Sequence, residues 1–262
     1  MHSDLKNVLA ESSFWANHKL LWLSETGSTN DDLKEIWRQP DYFHCIEVAD
    51  TQTKGKGQYE RKWESAAAGQ CLMFSFSAEV KEYNFPISMI AGVAMAVTLE
   101  QLGLKKSDIW LKWPNDIWVR DRKLAGILTE SSYFIGCSKT TQTASLTEGF
   151  RCVIGIGLNM LPLEKPESDF ASLKEEGILV DRETVLCEFC KAWEKIFYMT
   201  PGEQTAMWND FGGQFWKRSF VFDVPGRESF VGIPVRLEQD GGLIVKTSAG
   251  EENIIAASLK PL

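Results

Sequence analysis

Residues 49–63, ADTQTKGKGQYERKW, limit what this chain can fold into more than any other stretch. A β-favouring run, Phe43-His44-Cys45-Ile46-Glu47-Val48, leads into them and stops. The stretch then places two glycines two apart, Gly55 and Gly57, among Lys54, Lys56, Arg61 and Lys62. Glycine allows positive φ and close approach to a ligand, and exposed amides beside cationic side chains suit an anion. The expected structure is a strand ending in a loop that holds a phosphate or a carboxylate. It is not of Walker type, because GxxxxGK[ST] occurs nowhere in the chain. Read alone, the loop fits a basic, mobile surface segment equally well.

The loop is a local exception. The chain carries a formal net charge of −8, which argues against a surface built for nucleic-acid phosphates. With 262 residues, 44% hydrophobic and 24% charged, it reads as a soluble globular protein of one large domain, or of a large and a small one. The first residues, MHSDLKNVLAESSFW, have no apolar core of signal-peptide type, and no run of 18 apolar residues occurs elsewhere. A cytoplasmic location without membrane contact is expected, with the six cysteines reduced. Cys187 and Cys190 form one CxxC on a predicted helix, but no second pair accompanies it and the three histidines do not cluster. Packing, not zinc, explains them.

Leu20-Leu21-Trp22-Leu23 reads as a short strand, and residues 28–32, STNDD, open a helix. Ser28 is the expected N-cap, Asp31 completes a capping-box-like pattern, and Leu33, Ile36 and Trp37 form an apolar face that Pro40 ends. Residues 71–78 suit a central strand. Residues 86–103 give the clearest helix, with Pro at the start, Gly at the end, and Ile87, Ile90, Ala91, Ala94, Val97 and Thr98 on one face. A strand over 108–115 is stopped by Pro114, and 116–120 with 123–130 form a hairpin across Asp121-Arg122. Residues 151–160 are another apolar strand. The Pro-rich stretch 161–172 is expected to be mobile, and Asp181 caps a helix running to about Met199, broken by Pro201-Gly202. From about Gly212 the pattern changes to short strands over 219–224, 230–237 and 243–247, with Asp240-Gly241-Gly242 as a hairpin turn. The expected division is therefore 1–211, a large domain, and 212–262, a small all-β one.

Two further segments carry chemistry. Residues 112–116, KWPND, set a cation, an amide and a carboxylate at a strand end. Lys112 suits a phosphate, Asp116 a magnesium ion and Asn115 an orienting contact, although a polar surface turn has the same composition. Gly126 within a strand pattern marks close approach to the backbone. Asn159 ends the strand with Gly155 and Gly157 and is placed to read a base edge or to close a turn.

Taken in order, STN at 28–30, QTKGKG at 52–57, KWPND at 112–116, RKLAGIL at 122–128 and GIGLN at 155–159 resemble the biotin–protein ligases. The resemblance covers nearly all of the chain. It implies an α+β fold: a mixed sheet flanked by helices, like that of class II aminoacyl-tRNA synthetases and biotin–lipoate ligases, followed by a small C-terminal β-barrel. About twenty residues precede the first strand, so the form without an N-terminal DNA-binding domain is expected. The implied reaction activates biotin with ATP and Mg2+ as biotinyl-5′-AMP, then transfers biotin to a lysine of a biotin carboxyl carrier protein. No covalent enzyme intermediate is needed, in keeping with the absence of a G-x-S-x-G pattern. By position, Ser28, Thr29 and Gln52 would bond the biotin ring, and Gly126 would let the strand backbone face it. Gly55, Lys56 and Gly57 would wrap the carboxylate and phosphate, and Lys123 would be the leading catalytic residue, with Lys56 beside it. Gln58, Arg61, Trp63, Lys112, Asn115 and Lys260 would lie on the ATP or adenylate side, Asn159 would contact adenine, and Asp116 would meet the metal.

One departure stands out. Where the family's loop reads GRGRxGR, this chain has Gly55-Lys56-Gly57-Gln58-Tyr59-Glu60-Arg61. An arginine fork becomes a single neutral amide at Gln58, and Glu60 adds a negative charge near an anionic intermediate. Weaker retention of the adenylate is expected, as is a loop that orders on it. The other readings are a lipoate or octanoate ligase or transferase of the same architecture, and a non-catalytic biotin-binding protein. Dimerisation through a sheet edge is left open by the sequence.

Overall fold

In the computed structural model, described throughout except at residues 1, 40–41, 58–62, 64–67, 81–85, 141–142 and 163–168, two sheets share one hydrophobic core. Side chains at 135–147 and 214 also lie outside the description. The first sheet has seven strands: β1 (Lys19–Thr26), β2 (Cys45–Gln52), β3 (Cys71–Val80), β4 (Ile109–Lys112), β5 (Asp116–Val119), β6 (Arg122–Thr140) and β7 (Thr143–Asn159). Their order is β1-β2-β3-β7-β6-β5-β4, with β1 and β2 parallel and every other pair antiparallel. The sheet is mixed, as expected.

Each expected strand is present, but the hairpin of β6 and β7 extends well beyond the expected ends at Glu130 and Arg151, pairing out to Thr140 and Thr143. That polar, turn-poor sequence gives no period-2 apolar signal to read. The helices are α1 (Ser3–Glu11), α2 (Thr29–Arg38), α3 (Ile87–Gln101), α4 (Arg182–Phe197) and α5 (Pro201–Asp210). Asp181 caps α4 by accepting from the Thr184 amide at 2.7 Å. Pro201 ends the α4 segment as expected and also opens α5, where Thr200 and Glu203 form a capping box not anticipated from the sequence. Helix α3 is buried on almost every side, not on one face: Met89, Gly92, Val93, Met95, Ala96 and Leu99 are inside as well. A helix apolar all round belongs in the middle of a core, and α3 packs between the sheet and α4. The segment around 161–172 is anchored at its described end, where the Ala171 amide donates to the Lys123 carbonyl at 2.8 Å and the Leu173 amide to the Asn159 carbonyl at 3.0 Å.

The second sheet contains β8 (Phe220–Asp223), β9 (Phe230–Leu237), β10 (Leu243–Thr247), β11 (Gly250–Ile254) and β12 (Ser258–Pro261), in the order β11-β10-β9-β8-β12. The expected barrel is not formed. The five antiparallel strands stay open because β11 and β12 are the two edges, and β12 pairs with β8 alone among the described residues. The turn at Asp240-Gly241-Gly242 has Gly241 at φ 83°. Its carbonyl accepts from the Trp113 indole at 3.0 Å, tying the second sheet to the first.

Candidate active site

The loop ends of the first sheet, the start of α2 and the last strand of the second sheet enclose a cavity of about 590 Å³. Its floor is a strip of sheet without side chains. Gly126 on β6 pairs directly with Gly157 on β7, and Gly155 lies two residues along on the same face. The Trp63 ring and the Asn30 carboxamide fill the strip. A Cβ at Gly157 would meet Trp63 ring carbons at 2.4 Å, and one at Gly155 would meet Asn30 Oδ1 at 2.1 Å.

One end of the cavity is built for a neutral polar group. Ser28 stands at the N-cap of α2 in extended conformation, φ −163°, but makes no side-chain cap bond, and the expected capping box is not formed. Gln52 from β2 takes over: its Oε1 accepts from the Thr29 amide at 2.9 Å and from the Thr29 hydroxyl at 3.2 Å. Asp31 is drawn away to Lys34 at 2.8 Å and Lys56 at 2.6 Å. Burial alone would raise the Asp31 carboxyl, but its hydrogen bonds to Lys34 and Lys56 outweigh that and hold it below its usual range. Beneath, Ser75 bonds Thr29 at 2.6 Å and donates to Asn30 Oδ1 at 2.6 Å, and Asn30 donates to Glu130 at 2.9 Å. Ser28, Thr29 and Asn30 thus line the wall with hydroxyls and an amide, and the bonds to Thr29 and Asn30 fix their orientations.

The other end is built for charge. Lys123 Nζ lies 2.6 Å from Asp116 Oδ1, and Lys112 Nζ lies 3.9 Å from Asp116 Oδ2. These side chains are only 24, 17 and 11% exposed for Lys123, Asp116 and Lys112, so the pairing is stronger than at an open surface. Lys123 also lies over the Trp63 ring, 5.8 Å from its centroid. Lys56, Lys112, Lys123 and Lys260 line the cavity against Asp116 and Asp169, leaving a cationic lining suited to an anion. Asn115 spends its amide donor on the Ile127 carbonyl at 2.5 Å, pinning β6 beside Gly126. Asn159 is buried and donates to the Ala171 carbonyl at 3.0 Å, joining the end of β7 to the segment that carries Phe170.

Ser28, Thr29, Gln52, Lys56, Gly57, Trp63, Lys112, Asn115, Asp116, Lys123, Gly126, Asn159 and Lys260 therefore come together in one cavity. Gly55 does not line it. It lies against Trp63, whose amide donates to the Gly55 carbonyl at 3.1 Å, and a Cβ there would be 2.9 Å from the Trp63 oxygen. Gln58 and Arg61, with the departures at Gln58 and Glu60, lie outside the described residues. Trp118, Asp169 and Phe170 also line the cavity and are not anticipated from the sequence. Nothing local marks Phe170. It reaches the cavity because its segment bridges to Lys123, and it is 40% exposed there.

The model of the Biotin/lipoate A/B protein ligase family matches residues 23–149. The chain is 27% identical over 230 residues to Biotin–[acetyl-CoA-carboxylase] ligase of Mycobacterium tuberculosis, covering 84% of this chain and 74% of that one. It is 29% identical over 188 residues to Biotin–protein ligase 1, chloroplastic, of Arabidopsis thaliana, covering 68% of this chain and 47% of that one. It spans about half the length of the curated plant relatives it matches. Among solved structures, the biotin protein ligase from Aquifex aeolicus in complex with biotin and ATP superposes with a TM-score of 0.72 at 25% identity, covering 93% of this chain and 99% of that one.

Proposed function

We propose that this chain is a member of the biotin/lipoate A/B protein ligase family, and that it activates biotin with ATP and transfers it to a lysine of a biotin carboxyl carrier protein in the cytoplasm. The observation that carries this reading is the two-ended cavity: a hydroxyl and amide wall at Ser28, Thr29 and Asn30, and a lysine–aspartate–lysine group at Lys112, Asp116 and Lys123, joined by a glycine floor. A bicyclic ring carrying a ureido group needs the first, and a carboxylate meeting a triphosphate needs the second.

In the first step a biotin carboxylate oxygen attacks the α-phosphorus. A P–O bond forms, the bond to the β-phosphate breaks, and pyrophosphate leaves with the negative charge. Both reactants are anions, so the barrier is one of repulsion and of geometry. Lys123 and Lys56 at the junction offset the charge that accumulates between them. Lys112 does so further along the phosphates, and Lys260 closes that side. The Phe170 ring offers a flat face to the adenine. In the second step the uncharged amine of the carrier lysine attacks the acyl carbon: the C–N bond forms, the acyl C–O bond to the phosphate breaks, AMP departs as the anion, and the amine's proton passes to solvent as the amide forms. Asp116 pairs with Lys123 at 2.6 Å and is placed to accept from it. One carboxylate fits magnesium, which takes few protein ligands and fills its shell from phosphate oxygens and water. Asp116 would hold it there, where it supplies charge neutralisation to the phosphates.

Biotin-dependent exchange of pyrophosphate into ATP tests the first step. Exchange that needs biotin and is not supported by lipoate is the expected result. Exchange with lipoate alone would move the protein to the lipoate branch, and none with either would leave a binding protein.

A further inference from the structure

The nucleotide side of the cavity is braced by a charged cluster that the reaction does not touch. Arg120 and Arg122 flank the turn between β5 and β6, immediately before Lys123. Both reach Glu176: Arg120 Nη1 lies 3.2 Å from Glu176 Oε2, and Arg122 Nη2 lies 3.2 Å from Oε1. The Glu176 side chain is 2% exposed, so those two guanidinium groups, and not water, hold it in place. Each arginine has a second hold. Arg120 reaches Asp108 at 3.4 Å; Arg122 reaches Glu175 at 2.9 Å and donates to the Phe170 carbonyl at 3.3 Å. The Lys123 amide donates to the Asp169 carbonyl at 2.7 Å in the same place.

The backbone adds an independent sign. Arg120 sits at φ 54°, in the left-handed region that disfavours any residue with a Cβ. A glycine or asparagine would fit that turn with less strain, yet an arginine stands there with its guanidinium engaged twice. Strain kept at one residue points to a use for its side chain.

We propose that Glu176, acting through Arg120 and Arg122, is a positioning residue for the nucleotide: it fixes the wall at Asp169 and Phe170 relative to Lys123. The wall and the reacting lysine belong to segments far apart in sequence, and the cluster sets their spacing. Displacing the wall weakens the hold on the purine while leaving the far end, where Thr29 and Gln52 meet, as it was. The inference rests on the reading that this cavity takes ATP.

Steady-state pyrophosphate exchange by the full chain tests it, with KM measured separately for ATP and for biotin. Glu176→Gln keeps the size and removes the charge. KM for ATP should rise about tenfold while KM for biotin stays within about twofold, since small misplacements at a bound substrate are costly in affinity and rate. Arg120→Gly supplies the second arm. It relieves the left-handed strain, which offsets part of the loss of two ion pairs made by a largely exposed side chain, so the protein should still fold cooperatively, yet KM for ATP should rise in the same direction. This arm decides the matter even where Glu176→Gln does not fold. Folded variants with an unchanged KM for ATP, or with both KM values raised equally, would overturn the proposal. Wild type without any biotin-dependent exchange would overturn the ATP reading and this proposal with it. Normal wild-type exchange beside unaltered variants overturns this proposal alone.

Discussion

A methyl group added at Gly155 would stand 2.1 Å from Asn30 Oδ1, and Asn30 has little room to yield. Its oxygen accepts from Ser75 at 2.6 Å and its amide donates to Glu130 at 2.9 Å. Gly155→Ala should therefore cost about 1–3 kcal/mol of stability, the usual range for overpacking, and weaken biotin binding by turning the Asn30 amide. Thermal unfolding and calorimetry with biotin would show both; an unchanged melting point with unchanged affinity would count against the fixed-wall picture. Gly157→Ala acts differently, because the clash is with the Trp63 ring at 2.4 Å. That ring must leave the floor, and the effect should appear in biotin binding more than in stability. At this scale much is legible in the sequence. Ser28, Gln52, Lys112, Asp116, Lys123 and Gly126 stand in the short patterns that carry the family resemblance, and all six line the cavity. Phe170 stands in none of them, and only the pairing of its segment with Lys123 brings it to the cavity.

Helix α2 shows why an element's ends are harder to read than its middle. Leu33 and Trp37 bury as the periodicity predicts, but the N-cap is governed by Gln52, Lys34 and Lys56, contacts that no local rule contains. The same helix covers Glu47 of β2, which is 2% exposed. Burial, and then a hydrogen bond shared with Asp32, push the Glu47 carboxyl from an ordinary value of 4.5 up to about 8. The folded protein thus binds this proton more tightly than the unfolded chain. Its contribution to stability is complete below about pH 4.5 and is lost as pH rises through 8. The melting temperature of wild type relative to Glu47→Gln should fall across that window, and a pH-independent difference would contradict it. His18 is pushed the other way, down to about 4 by burial, so its stabilisation fades as pH falls from 6.5. That contribution is common to both proteins and cancels in the difference. Elsewhere, α5 is hidden when Pro201 is read only as a stop, and the outer half of the β6–β7 hairpin is hidden by its polar sequence.

For the whole molecule, what matters is which parts meet. Among the described residues, the open second sheet leaves β12 unpaired on one side, and that strand lends Leu259, Lys260 and Pro261 to the cavity. A closed barrel would satisfy the same strand pattern, since sequence alternation does not reveal which edges pair. The two sheets share one core and are joined by the bond from Trp113 to Gly241, so separating the chain at residue 212 should leave neither part stable. On the reading given above, Lys123 and its partners make this cavity a place where biotin is activated and passed on. The decisive experiment is the intact mass of a biotin carboxyl carrier domain incubated with this protein, biotin, ATP and magnesium, beside a Lys123→Ala control. One lysine should gain the mass of one biotin, with the initial rate reduced roughly 100-fold or more in the control, the scale on which removing one charge-stabilising group acts. A carrier that gains no mass while biotin-dependent exchange is also absent, or a Lys123→Ala protein that labels as fast as wild type, would refute that role for the cavity.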